Sequence, residues 1–563
     1  MPSAISAPSI EHSTGSPRDS RAPSDPPAGE LGTLVTKEIH DLVLTLRFSV
    51  GTLVAVVLAV LAAYMGSLDY NARLDSYQTK LKLNNEALHR ASTYSFLSPT
   101  LVRPPEPLSI LNHGLEGRVG TDFGVSVDTE NTEATGENRG NEYLAIFSEV
   151  DLTVIVGVIL GLLALLFTFD AVCGEREAGM LKLLASYAVP RWKFLLGKYL
   201  GSWLTLLLPT AFACLASLLV MGLAAQVHFG WQEFARIGLI FLAYGLYLSL
   251  MLLVGLVISS FAQRSSLALV LVTFFWFFFV TIAPNLAQMV PDFVGQRASV
   301  YQKAREGLRQ VDREQEAAFH AIKDPRDNFS FYFAINNNGG GGTQFECQYG
   351  DRKFYDQLRD YFAQAIPLSL KFAARRAAMW RQYIRYRAQQ AAQARSLSFF
   401  SPTAVFQNTA TFVSGTSAAD YAHYIDLVGR YRGTFLDYLA SKKAFTAYRW
   451  FTEDPPDKDS SWVPMLFGKT ADEMTASGAD PVKLLNAAIH DPAVWKKLGA
   501  VDQEKHQRAD WLLSLGDLPG FSYMRLAIGE TLVTAAPEIV YLFVLNLILF
   551  LVAFMRFARY DVR

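Results

Sequence analysis

The sequence predicts an α-helical polytopic membrane protein with six transmembrane helices, and three observations carry that prediction. Of its 563 residues, 51% are hydrophobic and only 18% are charged, which is too apolar for an ordinary soluble chain of this length. Six segments are long enough to cross a bilayer and carry no charged side chain. Lysine and arginine are concentrated beside alternate ends of these segments, the pattern that sets membrane orientation.

The predicted spans are the six longest apolar segments that contain no Asp, Glu, Lys or Arg. A helix needs about 20 apolar residues to cross the hydrocarbon, because its backbone polar groups must be satisfied internally where no water is present. Buried helices of a large soluble protein rarely keep such lengths free of charge. The spans are Phe48–Leu68, Leu152–Phe169, Tyr199–Ala225, Ile237–Gln263, Ser265–Pro291 and Ile539–Met555.

Basic residues near the span ends predict which side each loop occupies. They crowd the loop after the second span, the turn before the fifth span and the tail 556–563, and they also precede the first span. Because basic residues in short loops resist translocation, these parts and both termini are expected in the cytoplasm. The residues concerned are Arg18, Arg21, Lys37, Arg47, Arg176, Lys182, Arg191, Lys193, Lys198, Arg264, Arg556, Arg559 and Arg563.

The segment before the first span divides into two parts. Residues 1–30 are rich in Ser, Pro and Ala, which predicts a disordered tail and no signal peptide. Residues 31–47 place apolar side chains at helical spacing between charged ones, which predicts an amphipathic helix. Such a helix either lies in the membrane interface or packs on a partner subunit.

Two parts lie outside the spans, Asp69–Val150 and the longer Asp292–Glu538, and both are expected on the extracytoplasmic side. The longer one is predicted to be mainly helical, interrupted by a flexible Asn/Gly loop at residues 336–342. After Asp360, its helical stretch Tyr355–Leu397 carries no acidic residue and seven basic ones: Lys371, Arg375, Arg376, Arg381, Arg385, Arg387 and Arg395. That surface either contacts anionic lipid or an acidic cargo, or pairs with acidic neighbours such as Asp312, Glu314 and Glu316.

The motifs of common enzyme classes are missing from the sequence. Gly468-Lys469-Thr470 resembles the end of a phosphate-binding loop, but Val463 occupies the position that needs the first glycine. The three cysteines form no CxxC pair, and the sequence has neither HExxH nor a GxSxG elbow. A net charge of −1 gives no bias toward nucleic acid. No catalytic residue, cofactor site or metal site is therefore predicted on this chain.

The most informative segment is the short one after the second span. Gly174 is expected to break the membrane helix, and Glu175 and Glu177 would occupy the first turn of a new helix, where its dipole favours carboxylates. An apolar stripe follows at Met180, Leu181 and Leu184. A short amphipathic helix on the cytoplasmic surface is predicted, and Trp192 with Lys193 and Lys198 would anchor the third span at the lipid headgroups.

Three stretches of the sequence resemble the ABC-2 permeases, in the branch of the gliding-motility and nitrous-oxide-reductase maturation permeases. They are Phe169–Gly179 continued by Leu195–Gly201, Arg103–Ile110, and Ser401–Ala404 with Gly415-Thr416. The resemblance implies that Glu175–Leu184 is the coupling helix, within a connector at 174–198, that docks on an ATPase. Glu175, Arg176, Glu177 and Gly179 match the motif of that family, whereas Met180 stands where the family usually has Thr. Leu181 and Leu184 would complete the docking face.

The same resemblance implies a function and a set of partners. It implies an ABC-2, or type V, exporter in the bacterial inner membrane, with ATP and Mg on a separate ATPase subunit. A second permease copy or a related permease would complete the transport pathway, and the extracytoplasmic domain could meet a further protein or lipid. The rival interpretation is a membrane sensor or scaffold whose extracytoplasmic domain binds a ligand or protein. The aromatic run Phe274–Phe279 fits an apolar cargo or packing against other spans.

Overall fold

The computed structural model confirms an α-helical membrane protein with six helices that are long and apolar enough to cross a bilayer. It describes residues 30–127, 150–179, 190–227, 229–286, 297–325, 333–335, 344–346, 352–452, 466–489, 491–494, 496–497 and 512–559. Spans 1 to 6 are Leu46–His89, Leu152–Glu177, Trp192–Ala224, Trp231–Phe261, Ser265–Leu286 and Ile528–Ala558. Span 1 thus continues well past the predicted end at Leu68, and span 6 begins before the predicted Ile539.

The remaining elements are short strands and helices of varied length. Helix α1 (Glu30–Val43) precedes span 1, and strands β1 (Thr100–Val102) and β2 (Asp122–Gly124) pair antiparallel in the first loop. The insertion between spans 5 and 6 contains α2 (Arg297–His320), β3 (Phe333–Ile335), β4 (Gln344–Glu346), α3 (Arg352–Ser398), α4 (Pro402–Ser414), α5 (Ala418–Ser441), α6 (Ala471–Ala476) and α7 (Pro481–Ile489). Its described part is mainly helical, as predicted.

Spans 2 and 4 form the centre of the bundle. In each, 72% of the most apolar stretch is buried, against 17% in spans 1 and 6. The other spans lie around them, and we call these the outer spans. Their exposed apolar side chains include Leu53 on span 1, Leu219 on span 3 and Phe543 on span 6. Such a surface is stable only in contact with lipid or another apolar chain.

Helix α1 packs directly on span 3 of the same chain. A Cβ atom built on Gly197 would lie 3.0 Å from the Leu34 Cβ, and one on Gly201 would lie 2.6 Å from the Glu38 Cβ. Two glycines four residues apart therefore form the flat surface that lets the two helices approach. The sequence left two alternatives for this helix, the membrane interface or a partner subunit. In the structure α1 packs on span 3 of its own chain.

Helix α4 belongs to the insertion by sequence but packs inside the bundle, against spans 2, 4, 5 and 6. Its Phe406 stacks on Tyr247 of span 4 with ring centroids 4.3 Å apart. Arg236, which is 1% exposed, donates to the carbonyl of Val413 at 2.9 Å near the end of α4. Residues 292–538 therefore do not form a domain wholly separate from the bundle.

Two π-helical segments flank α4, Val156–Leu160 in span 2 and Phe277–Ile282 in span 5. A π-helical turn disturbs the regular ladder of backbone hydrogen bonds and is common at functional positions. Here side chains of other elements bond to its carbonyls: the Tyr247 hydroxyl donates to Gly157 at 2.8 Å, and the Ser401 hydroxyl donates to Phe279 at 2.7 Å. Thr403 in the first turn of α4 lies within hydrogen-bond distance of the same Tyr247 hydroxyl, at 3.1 Å. The N-terminus of α4 is thus bonded directly to the segment in span 5 and, through Tyr247, to the segment in span 2.

The basic surface of α3 pairs with acidic neighbours. Arg375 contacts Glu314 at 2.6 Å and Arg376 contacts Asp312 at 3.5 Å, which confirms that interpretation for these two acids. At the other end of α3, Arg395 binds Glu538 of span 6 at 2.5 Å. Glu538 is fully buried, so this ion pair fixes α3 to the bundle.

A chain of charged side chains with alternating sign crosses the end of the bundle that carries the insertion, which we call the insertion end. It joins span 1, the first loop, the segment before span 6 and the start of span 4. Its members, in order of contact, are Asp69, Arg73, Glu116, Arg103, Glu106, Arg525 and Glu233.

Most of this ionic chain is removed from water. The side chains of Arg103 and Glu116 are 4% and 3% exposed and lie 3.3 Å apart. Arg525 contacts Glu106 and also Glu233, the latter at 2.9 Å. Burial raises the pKa of Glu106 to about 7, although Arg525 and Arg103 act in the opposite direction.

Candidate functional site

The segment Cys173–Gly179, the motif segment, follows a turn at the end of the regular part of span 2. The regular helix of span 2 ends at Thr168, and a short helix runs from Cys173 to Glu177. The break in the membrane helix therefore comes before Gly174, which lies inside the short helix. Gly179 adopts the left-handed conformation with φ of 70°, which ends a helix. The predicted unbroken helix Glu175–Leu184 is therefore wrong at Gly179. Met180, Leu181 and Leu184 lie outside the described residues.

Glu175 is bound to span 3 and α1 through a buried lysine. Lys198 lies 2.8 Å from Glu175 and 3.4 Å from Glu38, and the Lys198 and Glu38 side chains are only 11% and 14% exposed. Burial raises the pKa of Glu38, with Lys198 opposing that shift. Lys198 thus forms an internal ion cluster at the position where the sequence predicted an anchor to lipid headgroups.

Arg176 and Glu177 attach the motif segment to the turn between spans 4 and 5. Arg176 donates from Nη1 to the carbonyl of Ala262 at 3.1 Å. Glu177 accepts from the Ser265 backbone N–H at 3.1 Å and from its hydroxyl at 2.5 Å. Since Ser265 begins span 5, this carboxylate satisfies a free N–H at the positive end of that helix.

The comparison with known proteins identifies the family. The sequence profile described as "ABC-2 family transporter protein" matches residues 33–562. The chain belongs to the ABC-2 transporter family. Probable ABC transporter permease protein NosY of Pseudomonas aeruginosa is 34% identical over 138 residues, which cover 23% of this chain and 48% of that protein. NosY of Stutzerimonas stutzeri is 35% identical over 128 residues, covering 22% and 44% respectively. The chain spans about half the length of these relatives.

Two of the three stretches that resembled ABC-2 permeases meet in this ABC-2 protein. Arg103 donates from Nη2 to the carbonyl of Gly415 at 3.2 Å, which joins the first loop to the end of α4. Gly415 itself has φ of 80° and lies close to Arg236 and Glu106. The third stretch, with the motif segment, lies at the opposite end of the spans, which we call the motif end.

The motif segment of the ABC-2 protein connects five elements over a few residues: spans 2, 3, 4 and 5 and helix α1. Its outer side is open, since Glu177, Ala178 and Gly179 are exposed and a Cβ on Gly179 would meet nothing within 4 Å. A displacement of this exposed side would therefore be transmitted to four spans. Sequence reasoning named the motif residues but missed Lys198, Glu38 and Ser265, because contacts that distant in the chain leave no local signal.

The described residues contain no cluster suited to a metal ion. They contain no group of three His, Cys, Asp or Glu side chains that could hold a metal ion. Thr470 of the Gly-Lys-Thr sequence accepts from the Glu473 N–H at 3.3 Å and so begins helix α6. That hydroxyl serves as a helix cap.

Proposed function

We propose that the chain is the membrane-spanning permease subunit of an ATP-driven exporter, with ATP and Mg bound by a separate ATPase subunit. The observation that carries this proposal is the motif segment, which is exposed on one side and bonded to spans 3, 4 and 5 on the other. A partner that moves this segment moves the spans. Glu175, Arg176 and Glu177 then act as internal bonds that pass on the movement, and Met180, Leu181 and Leu184 form the docking face.

Transport would follow from alternating access between two permease subunits, this chain and either a second copy or a related permease. The exposed apolar faces of the outer spans support such pairing, because they need lipid or another apolar chain as a partner. Closure of two ATPase subunits on ATP would rotate the motif ends, and the bundles would then open at their insertion ends.

The proposed orientation places both termini and the motif end in the cytoplasm of a bacterial inner membrane and the insertion outside. Two matched cysteine variants test it, in a protein whose three native cysteines are replaced by serine. Gly32→Cys lies on α1 and Gly429→Cys on α5, and both positions are exposed with no atom within 4 Å of an added Cβ. In intact cells a membrane-impermeant maleimide should label only Gly429→Cys. Labelling of Gly32→Cys alone would reverse the orientation.

The coupling role is tested on the complex with the ABC ATPase that co-purifies with the chain. Leu181→Asp should prevent the complex from forming, since an unpaired charge would enter a packed contact. Glu177→Ala should leave the complex intact but remove the stimulation of ATP hydrolysis in liposomes, because the bond to span 5 is lost. Ser265→Ala removes the same side-chain bond from the other side and should reproduce that loss in part.

Glu473→Ala, at the cap of the distant helix α6, is the matched control and should keep wild-type stimulation. Wild-type complex formation and stimulation in Leu181→Asp would refute the docking role. Failure of any ATPase to co-purify with the wild-type protein would instead favour the sensor or scaffold.

A further inference from the structure

A cleft of about 780 Å³ opens at the motif end, between helix α1, the start of span 1, the end of span 2 and the start of span 5. Six charged side chains line it: Glu38, Asp41, Arg47, Asp170, Glu175 and Lys198. The motif segment forms one of its walls through Gly174, Glu175 and Ala178, so the cleft adjoins the exposed side of that segment, and Glu177 and Gly179 lie outside the lining.

The charges of this cleft leave an excess of two negative charges. Lys198 lies between Glu38 and Glu175 on the buried side, and Arg47 pairs with Asp170 at 3.2 Å where both are partly exposed. Asp41 is exposed and has no cation within ion-pair distance among the described residues. The cleft therefore attracts a cationic group, and Asp41 is free to bind it.

Apolar side chains form the rest of the lining and the rim. Leu42, Leu166 and Phe167 line the cleft together with Leu46, which is 77% exposed, and the adjacent Leu44 is 72% exposed. Both leucines lie where α1 turns into span 1, at the boundary of the hydrocarbon. An occupant of this cleft has a cationic polar part and an apolar part that covers these leucines, and a membrane lipid has both.

We propose that the cleft binds the headgroup of a phospholipid with a primary ammonium, of the phosphatidylethanolamine class. The ammonium donates hydrogen bonds to Asp41 and the acidic wall, and the phosphate accepts from Arg47 at the rim. A choline headgroup has no N–H to donate, so the carboxylates distinguish the two lipids. An anionic headgroup without an amine is repelled by the excess negative charge of the cleft. The acyl chains lie against Leu44 and Leu46.

Native mass spectrometry of the delipidated full-length protein in detergent tests this binding. Dioleoyl phosphatidylethanolamine should bind about tenfold more tightly than the matching phosphatidylcholine or phosphatidylglycerol, which corresponds to one or two charge-assisted hydrogen bonds. Asp41→Asn should reduce the preference for the ethanolamine lipid about fivefold. Asp41 is exposed and pairs with no described cation, so this variant should fold normally.

Asp75→Asn is the matched control, because Asp75 is also an exposed carboxylate but lies on span 1 beyond Leu68, away from the cleft. It should bind all three lipids as the wild type does. Equal binding of the three lipids by the wild type, or an unchanged preference in Asp41→Asn, would overturn the proposal. Binding of soluble phosphoethanolamine as tight as that of the lipid would also overturn it, in favour of a small-molecule site.

Discussion

The two ends of the bundle are joined by charged side chains of opposite character. At the motif end the ion pairs form two separate groups. Arg47 and Asp170 are 48% and 37% exposed, whereas Lys198, Glu38 and Glu175 are 11%, 14% and 24% exposed. At the insertion end Arg103 and Glu116 are 4% and 3% exposed and belong to a chain of seven charges. Exposed ion pairs are weak and exchange readily with water, whereas breaking a buried pair leaves a charge without solvent. The protein thus combines an end that can rearrange with an end held rigidly.

The strongest test of this difference is Glu116→Ala at the insertion end. The change removes the carboxylate that Arg73 and Arg103 share and leaves an excess positive charge in a buried place, although Arg73 keeps Asp69 at 2.8 Å and Arg103 keeps Glu106 at 3.9 Å. It should lower the free energy of unfolding by roughly 3 kcal/mol. Thermal unfolding of the purified protein measures it.

The matched control for Glu116→Ala is Asp426→Ala, which breaks an ion pair with Arg430 in which both partners are about two-thirds exposed, at 66% and 64%. That variant should lose at most about 0.5 kcal/mol. Equal losses in the two variants would remove the proposed distinction between buried and exposed charges.

A second test uses pH, because burial raises the pKa of Glu106 at the insertion end to about 7. The folded protein binds this proton more tightly than the unfolded chain. Its contribution to stability is present below the ordinary pKa of 4.5 and is lost as the pH rises through about 7. The thermal midpoint should therefore fall as the pH rises from about 4.5 to about 7.

Glu106→Gln should abolish that part of the pH dependence. Burial also lowers the pKa of His113, but this histidine is common to both proteins, so the difference between them isolates Glu106. Parallel pH profiles in the two proteins would contradict the assignment.

The smallest effect is expected at the motif end, from Glu175→Gln. Lys198 keeps Glu38 as its partner, so no buried charge is left unpaired, and the Glu175 side chain is itself 24% exposed. The loss should therefore be about 1 kcal/mol or less. Hydrogen exchange should nevertheless increase around the motif segment while it stays unchanged around Arg103. A loss as large as that of Glu116→Ala would show that the motif end is as rigid as the insertion end.

Much of the fold could be predicted from hydropathy, because the cost of placing a segment in lipid depends on that segment alone. The requirement that a span contain no charged residue made the predicted spans 4 and 6 begin too late, just after Arg236 and Glu538. Both charges are buried within the span helices, Arg236 bonded to backbone carbonyls and Glu538 to Arg395. The sequence does not reveal such partners, which lie more than a hundred residues away.

Helix α4 escaped prediction for a related reason. Its 13 residues, Pro402–Ser414, are too few for a span, so the sequence placed it with the insertion. Only its contacts with Tyr247 and with the π-helical segments determine that it enters the bundle. The sequence identified the residues of the motif but not their contacts. Glu175 binds Lys198 and Glu177 binds Ser265, both within the protein.

Helix α3 can act as a lever arm. Its 47 residues give it a length of about 70 Å, and Arg395 fixes one end to Glu538 of span 6. Near the other end, Leu358 is buried in the apolar cluster that contains Phe451 and Phe435. A tilt of about 5° at span 6 therefore displaces the far end by roughly 6 Å, from the rise of about 1.5 Å per residue. Any tilt of span 6 that α3 follows as a rigid helix would thus be larger at the far end of the insertion than at the span itself.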